Sequence, residues 1–324
     1  MFIHSRREFR TLKGAPACPR LRREASRTGR DEQLSRFSIS LRETAPPQAR
    51  RSFIFWNGEF LSSTESPVLS LDSGLLRGSG LFETMRAYQG NIIYFNQHIA
   101  RISNSCKILE LKFFYNTGKI QKIINRLLGL NSLQDANLRL TLWKTNGLAD
   151  ILLVAKKYKP LTLSKYKRGC SVGIARLRQD ESSFLAQHKT TSRLIYEVNF
   201  DEAQKRGFDE AIMLNQHGLI TEGTRSNLFF IKKKTLFTPA LSCGCLNGIT
   251  RRVVCGMAVQ YGIKLYEGKF TLEDLSAADE AFLTNSLNGL VPVARVEKKY
   301  FIKGTAPKTT GIFIRKYRDL LRRR

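Results

Sequence analysis

The amino-acid sequence predicts an α+β protein built from two mixed units of helices and strands. Short apolar runs that end in turn residues, such as the run around Asn57-Gly58, alternate along the chain with segments whose apolar residues recur every three or four positions. The 324 residues are 42% hydrophobic, which is enough to bury the cores of two ordinary domains.

The composition divides the chain into four segments. Residues 1–51 are rich in Arg and Ser and lack an apolar period, so we expect a basic, disordered extension. Residues 52–159 are predicted to form a small N-terminal α+β domain. Residues 160–168 read as an interdomain linker, because Pro160 and a basic run interrupt any period, and residues 169–324 form a larger C-terminal domain with a basic tail.

Residues 1–51 allow three interpretations. Their Arg-rich and Ser-rich composition partly matches an organelle transit peptide. Four acidic residues, Glu8, Glu24, Asp31 and Glu32, are untypical of such peptides and favour a tail or an extension upstream of the true start.

The N-terminal domain is predicted to be two hairpins, two helices and a strand pair. Asn57-Gly58 and Gln89-Gly90-Asn91 are the hairpin turns, and glycines at 74, 78 and 80 mark a further turn. The first helix follows at 96–111, and Thr117 is the predicted N-cap of the second. The apolar face of the first helix comprises Ile99, Ile102, Cys106, Ile108 and Leu109. The strand pair is predicted at 137–145 and 149–158.

The C-terminal domain is predicted to alternate strands and helices. Its elements are a strand at 171–179, a helix that begins near Lys189 and stops at Gly207, an antiparallel set of strands at 208–239, a helix at 247–262, two strands within 278–297, and an amphipathic helix at 310–324.

Composition excludes several classes of function. The formal net charge of +27 is spread over the whole chain, without a zinc finger or a basic recognition helix, so we expect no nucleic-acid partner. The apolar runs are too short to cross a bilayer, so we expect no membrane partner. The six cysteines lack zinc-clamp spacing, which predicts no metal site and reduced thiols in a cytoplasmic protein.

Lys189 and Glu222 are the candidate catalytic pair. Lys189 stands among hydroxyl residues before an amphipathic segment, and Glu222 lies in a Gly/Thr/Ser-rich turn ahead of an apolar strand. A lysine that can form a Schiff base and a carboxylate that can face a pyridine nitrogen are the groups that a pyridoxal phosphate enzyme needs.

A phosphate site is predicted at the helix that begins after Asn247-Gly248. Exposed amides at a helix N-terminus, with the Thr250 hydroxyl beside them, bind phosphate readily. The turn at 284–286 could add hydroxyl groups, and Arg101 could supply a charge.

The ordered motifs WNGEF, GLLRGSGLFETMR, HIAR, KTTSRL, GFDEAIMLNQHGLITEGTRSNLFFI, LFTP, LNGITRRVV and ADEAFLTNSLNGLVPV extend over residues 53–300. Together they resemble the class IV aminotransferases, which include branched-chain and D-amino-acid aminotransferases and 4-amino-4-deoxychorismate lyase. The resemblance implies a fold-type IV enzyme with pyridoxal 5'-phosphate between two α/β domains, and at least a homodimer.

By this resemblance Lys189 is the Schiff-base lysine and Glu222 contacts the pyridine nitrogen. The residues implied to hold the phosphate are Arg101, Ile249, Thr250 and Ser286. One position departs from the family, because the tyrosine that supports the ring oxygen in branched-chain enzymes falls at Leu194.

The choice of reaction depends on a few positions. Thr84 stands where branched-chain enzymes have glycine, and Arg193-Leu194 after the lysine also resembles the lyases. We therefore expect a lyase that forms 4-aminobenzoate and pyruvate, with Thr84 catalytic and with Arg139 and Arg193 binding the substrate. The alternatives are a class IV aminotransferase acting on branched-chain or D-amino acids, and a basic binding protein on a decayed enzyme scaffold.

Overall fold

Two β-sheets organise the part of the chain that the computed structural model describes, which is residues 52–63, 77–145, 148–302 and 307–322. These residues belong to one compact unit, Arg50–Arg324. The predicted basic extension and the predicted turn at Gly74 lie outside the described residues. The division into domains 52–159 and 169–324 stays a prediction.

The first sheet has six strands in the order β2-β1-β6-β5-β3-β4. Its pairings are all antiparallel. The strands are β1 (Phe53–Trp56), β2 (Glu59–Ser62), β3 (Gly80–Tyr88), β4 (Asn91–Ile92), β5 (Ala136–Thr145) and β6 (Leu148–Lys157). Asn57 and Gly58 both have positive φ, as the predicted hairpin turn requires.

The second sheet has nine strands in the order β12-β11-β10-β13-β14-β7-β8-β9, with β15 also paired to β14. The strands are β7 (Cys170–Ile174), β8 (Glu210–Leu214), β9 (Ile220–Gly223), β10 (Asn227–Lys232), β11 (Thr235–Pro239), β12 (Leu265–Gly268), β13 (Glu280–Asn285), β14 (Gly289–Val296) and β15 (Lys299–Tyr300). Parallel pairs join β7 to β8, β7 to β14 and β11 to β12, so the sheet is mixed.

The described α-helices cover these sheets. They are α1 (Phe95–Ile108), α2 (Thr117–Leu130), α3 (Leu163–Arg168), α4 (Leu194–Lys205), α5 (Ile249–Gln260), α6 (Leu272–Ser276) and α7 (Lys308–Arg322). Helices α1 and α2 pack on the first sheet in one core. Successive side chains of β10 point to opposite faces of the second sheet and so enter two different cores. Leu228 and Phe230 pack in the core with α6, and Phe229 and Ile231 pack in the core with α5 and α7. None of the described helices is long and apolar enough to cross a membrane.

Several local predictions were wrong. The N-cap of α2 is Asn116, whose side chain accepts a hydrogen bond from the amide of Lys119, so Thr117 is already the first helical residue. Ile108 and Leu109 are exposed, because α1 ends there and its last turn leaves the core. The segment 160–168, whose role as a linker stays a prediction, contains the short helix α3, which Thr162 caps.

The antiparallel pairing predicted at 208–239 is present, and its strands belong to the mixed nine-stranded sheet. Strands β8 and β9 pair with each other, as do β10 and β11. However, β8 also pairs with β7, and β10 pairs with β13. Local turn signals cannot reveal these pairings, since the partner strands are distant in sequence.

Candidate active site

A cavity of about 530 Å³ is lined by all of the predicted site residues. These are Thr84, Arg101, Arg139, Lys189, Arg193, Glu222, Ile249, Thr250 and Ser286. They come from β3, α1 and β5 of the first half of the chain, and from the segment 189–193, β9, α5 and the turn after β13 of the second half. The volume lies within the range of about 300–1,000 Å³ that is usual for small-molecule sites.

Lys189 lies in an extended segment that is hydrogen-bonded to the start of β3. Its carbonyl accepts a hydrogen bond from the amide of Phe82 at 2.9 Å, and the amide of Thr191 donates to the carbonyl of Gly80 at 2.8 Å. A Cβ at Gly80 would lie 2.8 Å from the carbonyl oxygen of Leu142, so only glycine allows this close approach. The prediction that a helix begins near Lys189 was wrong, since α4 begins at Leu194.

The environment of Lys189 favours a neutral amine. Burial lowers its pKa to about 7, and the positive charge of Arg101 acts in the same direction. The Nζ atom lies 4.4 Å from the centre of the Phe82 ring. A neutral amine near pH 7 is the form that can attack a carbonyl group or take up a proton.

Glu222 faces the same cavity from β9, a strand, and not from the predicted turn. Its Oε2 accepts hydrogen bonds from the amide of Leu246 at 3.0 Å and from the side chain of Asn227 at 3.1 Å. The hydroxyl of Tyr196 lies 3.5 Å from Oε1. Burial raises the pKa of Glu222 to about 7, so a cationic group beside it would hold the carboxylate ionised.

Arg101 is held in place by Glu83, a residue that the sequence prediction missed. Its Nε and Nη2 atoms donate to the two carboxylate oxygens of Glu83, each at 2.7 Å, and Nη1 donates to the carbonyl of Asn247 at 3.1 Å. Nδ1 of the buried His98 also lies 2.7 Å from Glu83. Burial alone would raise the pKa of Glu83, but Arg101 and His98 lower it to about 2.

The N-terminus of α5 and the turn after β13 form an anion site beside Arg101. Gly248 caps α5 without a side-chain hydrogen bond, so the first amides of the helix are available to a ligand. The hydroxyl of Thr284 is buried and has no hydrogen-bond partner among the described residues, although Thr284 lines the cavity. A phosphate group would satisfy both features, so the residues present fit the phosphate of pyridoxal phosphate.

Three guanidinium groups line the cavity in addition to Arg101. They belong to Arg139, Arg193 and Arg225, and the acidic side chain that lies among them is Glu197. Glu197 pairs with both Arg193 and Arg225. Arg139 has no carboxylate partner among the described residues, and its guanidinium lies 3.9 Å from the centre of the Phe82 ring.

Thr84 and Arg139 are cross-strand neighbours on β3 and β5. Both side chains line the cavity near Phe82, which also contacts Lys189. Leu194 does not line it and is 78% exposed, so the position at which branched-chain enzymes are expected to carry a tyrosine contributes nothing here.

Sequence reasoning missed Glu83, His98, Glu197 and Arg225. A signal existed for one pair, because His98 and Arg101 are three residues apart and therefore share a face of α1. No sequence pattern marked Glu83, which reads as an ordinary strand residue.

Known proteins resemble this chain over most of its length. The model of the family described as Amino-transferase class IV matches residues 80–296. The chain is 32% identical over 274 residues to the aminodeoxychorismate lyase of Bacillus subtilis, covering 80% of this chain and 92% of that protein.

Solved structures are similar as well. A branched-chain aminotransferase from Thermoproteus uzoniensis, solved with norvaline, superposes with a TM-score of 0.76 at 27% identity, covering 83% of this chain and 94% of the other. A branched-chain amino acid aminotransferase from T.th., solved with pyridoxamine 5'-phosphate, has a TM-score of 0.77, and at 24% identity it shows the fold alone. It covers 84% of this chain and 94% of the other. The two-sheet fold, the site cavity and the match over residues 80–296 together show that this chain belongs to the class IV aminotransferase family, whose members are fold-type IV enzymes.

Proposed function

We propose that this enzyme is a 4-amino-4-deoxychorismate lyase that forms 4-aminobenzoate and pyruvate for folate synthesis. The observation that carries the proposal is the group of guanidiniums at Arg139, Arg193 and Arg225 beside Lys189. The substrate has two carboxylates, and guanidinium groups bind carboxylates in paired hydrogen bonds. A site for branched-chain side chains would need apolar walls where these cations lie.

The cofactor is pyridoxal 5'-phosphate, the cofactor of the class IV family. When bound, it supplies a carbonyl group that links to amines and a ring that accepts electrons from the neighbouring carbon. In this chain Arg101, the α5 amides and the hydroxyls of Thr250, Thr284 and Ser286 would hold its phosphate. Glu222 would face its pyridine nitrogen, and Lys189 would carry it covalently.

Lys189 is also the proposed acid and base. Its amine takes the proton from the substrate carbon that bears the amino group, and the carbon–oxygen bond to the enolpyruvyl group then breaks. The same amine returns the proton to the departing methylene carbon, which completes pyruvate. A pKa of about 7 suits both transfers near neutral pH.

The remaining cavity residues position the substrate. Arg139 binds one carboxylate, because it lacks a protein carboxylate of its own among the described residues. Arg193 and Arg225 bind the second carboxylate beside Glu197. The Thr84 hydroxyl, next to Arg139 in the sheet, orients the substrate or relays a proton.

A second candidate function is a class IV aminotransferase that acts on branched-chain or D-amino acids. The apolar side chains of Phe82, Leu246, Ile249 and Leu287 in the same cavity favour it. The chain would then use the same lysine to move a proton between two carbons, leaving an oxo acid.

We further propose a cytoplasmic homodimer. The five described cysteines are free thiols, which supports a reducing compartment, and the family resemblance supports the dimer.

The deciding experiment supplies 4-amino-4-deoxychorismate to the purified, cofactor-loaded enzyme and follows 4-aminobenzoate and pyruvate together. We expect equal amounts of both products, and no product from Lys189→Ala. Lys205→Ala, which alters an exposed lysine at the end of α4, is the matched control and should keep full activity. If the loaded enzyme forms neither product but transfers the amino group of D-alanine or L-leucine, the aminotransferase function replaces the lyase.

A further inference from the structure

A second cavity lies next to the active-site cavity along the same face of β3. Phe82 and Thr84 line the first cavity, while Arg86 and Tyr88, the next residues on that face, line the second. The second cavity has a volume of about 220 Å³ and is also lined by residues between 158 and 166 and by α7. A small space of about 40 Å³, lined by Arg86, Asn288 and Arg318, lies between them.

The charges around the second cavity are all positive. Arg86, Arg318 and Arg322 line it, and no acidic residue does so among the described residues. The Nε atom of Arg86 is buried and has no hydrogen-bond partner in the described part of the chain. Since an unpaired buried donor costs free energy, a bound anion would supply the missing acceptor.

The walls of the cavity are aromatic. The guanidinium of Arg86 lies 4.5 Å from the centre of the Tyr158 ring and 5.4 Å from that of Tyr88. Arg318 lies 4.9 Å from the centre of the Tyr166 ring. Flat rings and planar guanidinium groups favour a planar ligand, and the volume, below the usual range of about 300–1,000 Å³, favours a single ring.

We propose that this cavity, built by Arg86, Arg318, Tyr88, Tyr158 and Tyr166, is a second binding site for a small aromatic carboxylate. The carboxylate of the ligand pairs with Arg86 and Arg318, and its ring lies among the tyrosines. The proposal does not depend on which reaction the enzyme catalyses.

A ligand in this site would influence the active site through Asn288. The Tyr158 hydroxyl donates to Oδ1 of Asn288 at 3.2 Å, and the Tyr166 hydroxyl donates to its carbonyl at 2.5 Å. Asn288 lines the active-site cavity and follows Ser286 in the turn after β13. A ligand that restrains the two tyrosines therefore restrains the turn, and we infer that it lowers catalytic turnover.

The test measures binding of benzoate to the full-length holoenzyme by calorimetry, after borohydride has fixed the cofactor to its lysine. Arg318→Met removes a guanidinium of the second cavity, and Arg318→Lys keeps the charge but loses the planar fork. Arg139→Met is the matched control, because it removes a guanidinium of the active-site cavity. Thermal unfolding of each variant confirms that it is folded.

We expect saturable binding that weakens by roughly tenfold or more in Arg318→Met, less in Arg318→Lys, and by less than about twofold in Arg139→Met. Turnover without added ligand should be unchanged in Arg318→Met, and inhibition by benzoate should be lost. Binding that depends on Arg139 and not on Arg318 would place the ligand in the active site and overturn the proposal. So would equally tight binding of inorganic phosphate, or the absence of saturable binding.

Discussion

Glu83 accepts two hydrogen bonds from Arg101, one from Nε and one from Nη2, and both are 2.7 Å long. The carboxylate is almost fully buried, and the arginine side chain is 13% exposed. This pair fixes the guanidinium plane, so that Nη1 reaches the carbonyl of Asn247 in front of α5. The anion site thus depends on the ion pair between Glu83 on β3, a strand of the first sheet, and Arg101 on α1, a helix that packs on that sheet.

Glu83→Gln should weaken cofactor binding and lower stability. Loss of one partner of a buried ion pair typically costs about 3–5 kcal/mol, because the other charge stays buried. We expect cofactor affinity, measured by absorbance titration, to fall by roughly tenfold or more as Arg101 loses its fixed orientation. Glu197→Gln is the matched control, since Glu197 pairs with Arg193 and Arg225 and not with Arg101. Unchanged affinity in Glu83→Gln would contradict the positioning role.

Thr284→Val should act in opposite directions on stability and on cofactor binding. The hydroxyl of Thr284 has no partner among the described residues, so its removal should raise the stability of the cofactor-free enzyme by about 1 kcal/mol. Cofactor affinity should fall by roughly tenfold if the hydroxyl binds the phosphate. Thr238→Val is the control, because the hydroxyl of that residue donates to the carbonyl of Leu228 at 2.8 Å. It should lower stability and leave cofactor affinity intact.

Attachment of the cofactor should depend on pH through Lys189. Its pKa is lowered to about 7, mainly by burial, so the amine is protonated below that pH and neutral above it. Only the neutral form has a free electron pair for the carbonyl group. The rate at which the stripped enzyme regains visible absorbance should therefore rise as pH increases through about 7 and level off above it. A rate that rises only near the pKa of an ordinary exposed lysine, about 10.4, would contradict this assignment.

Arg139→Met should impair substrate binding while it spares the cofactor. The guanidinium lies over Phe82 and lacks a carboxylate partner among the described residues. We expect kcat/KM for 4-amino-4-deoxychorismate to fall by roughly 10- to 100-fold, the usual effect of losing a charged hydrogen bond. The visible absorbance of the loaded enzyme should persist. Arg176→Met, at a side chain that is 75% exposed, serves as the control and should change neither quantity.

Several of the candidate site residues carry a chemical signal that can be read from the sequence. Gly248 and Thr250 mark the start of α5 by a pattern that requires no knowledge of the fold. Lys189 and Glu222 were recognised from the motifs around them, and the structure places both in one cavity. Their local geometry was harder to predict. The hydroxyl-rich segment after Lys189 reads as a helix start, but its hydrogen bonds go to Gly78 and Gly80 on the other half of the chain.

Residues whose role depends on burial escaped prediction. In the sequence Glu83 reads as an ordinary acidic residue of a strand. It gains Arg101 and His98 as partners only because α1 packs against β3. Arg225 and Glu197 likewise read as ordinary charged residues in the sequence. They form an ion pair because α4 packs close to the turn that follows β9. Periodicity and motif spacing describe neighbours along the chain, whereas these pairs are created by tertiary packing.

The attachment of the lysine segment to β3 also has a consequence for how the protein folds. The hydrogen bond between the Gly80 amide and the Thr191 hydroxyl joins residues 111 positions apart, so no early, local structure can form it. The cofactor pocket should therefore be completed late in folding. A cofactor that binds this completed pocket should therefore shift the folding equilibrium towards the folded state.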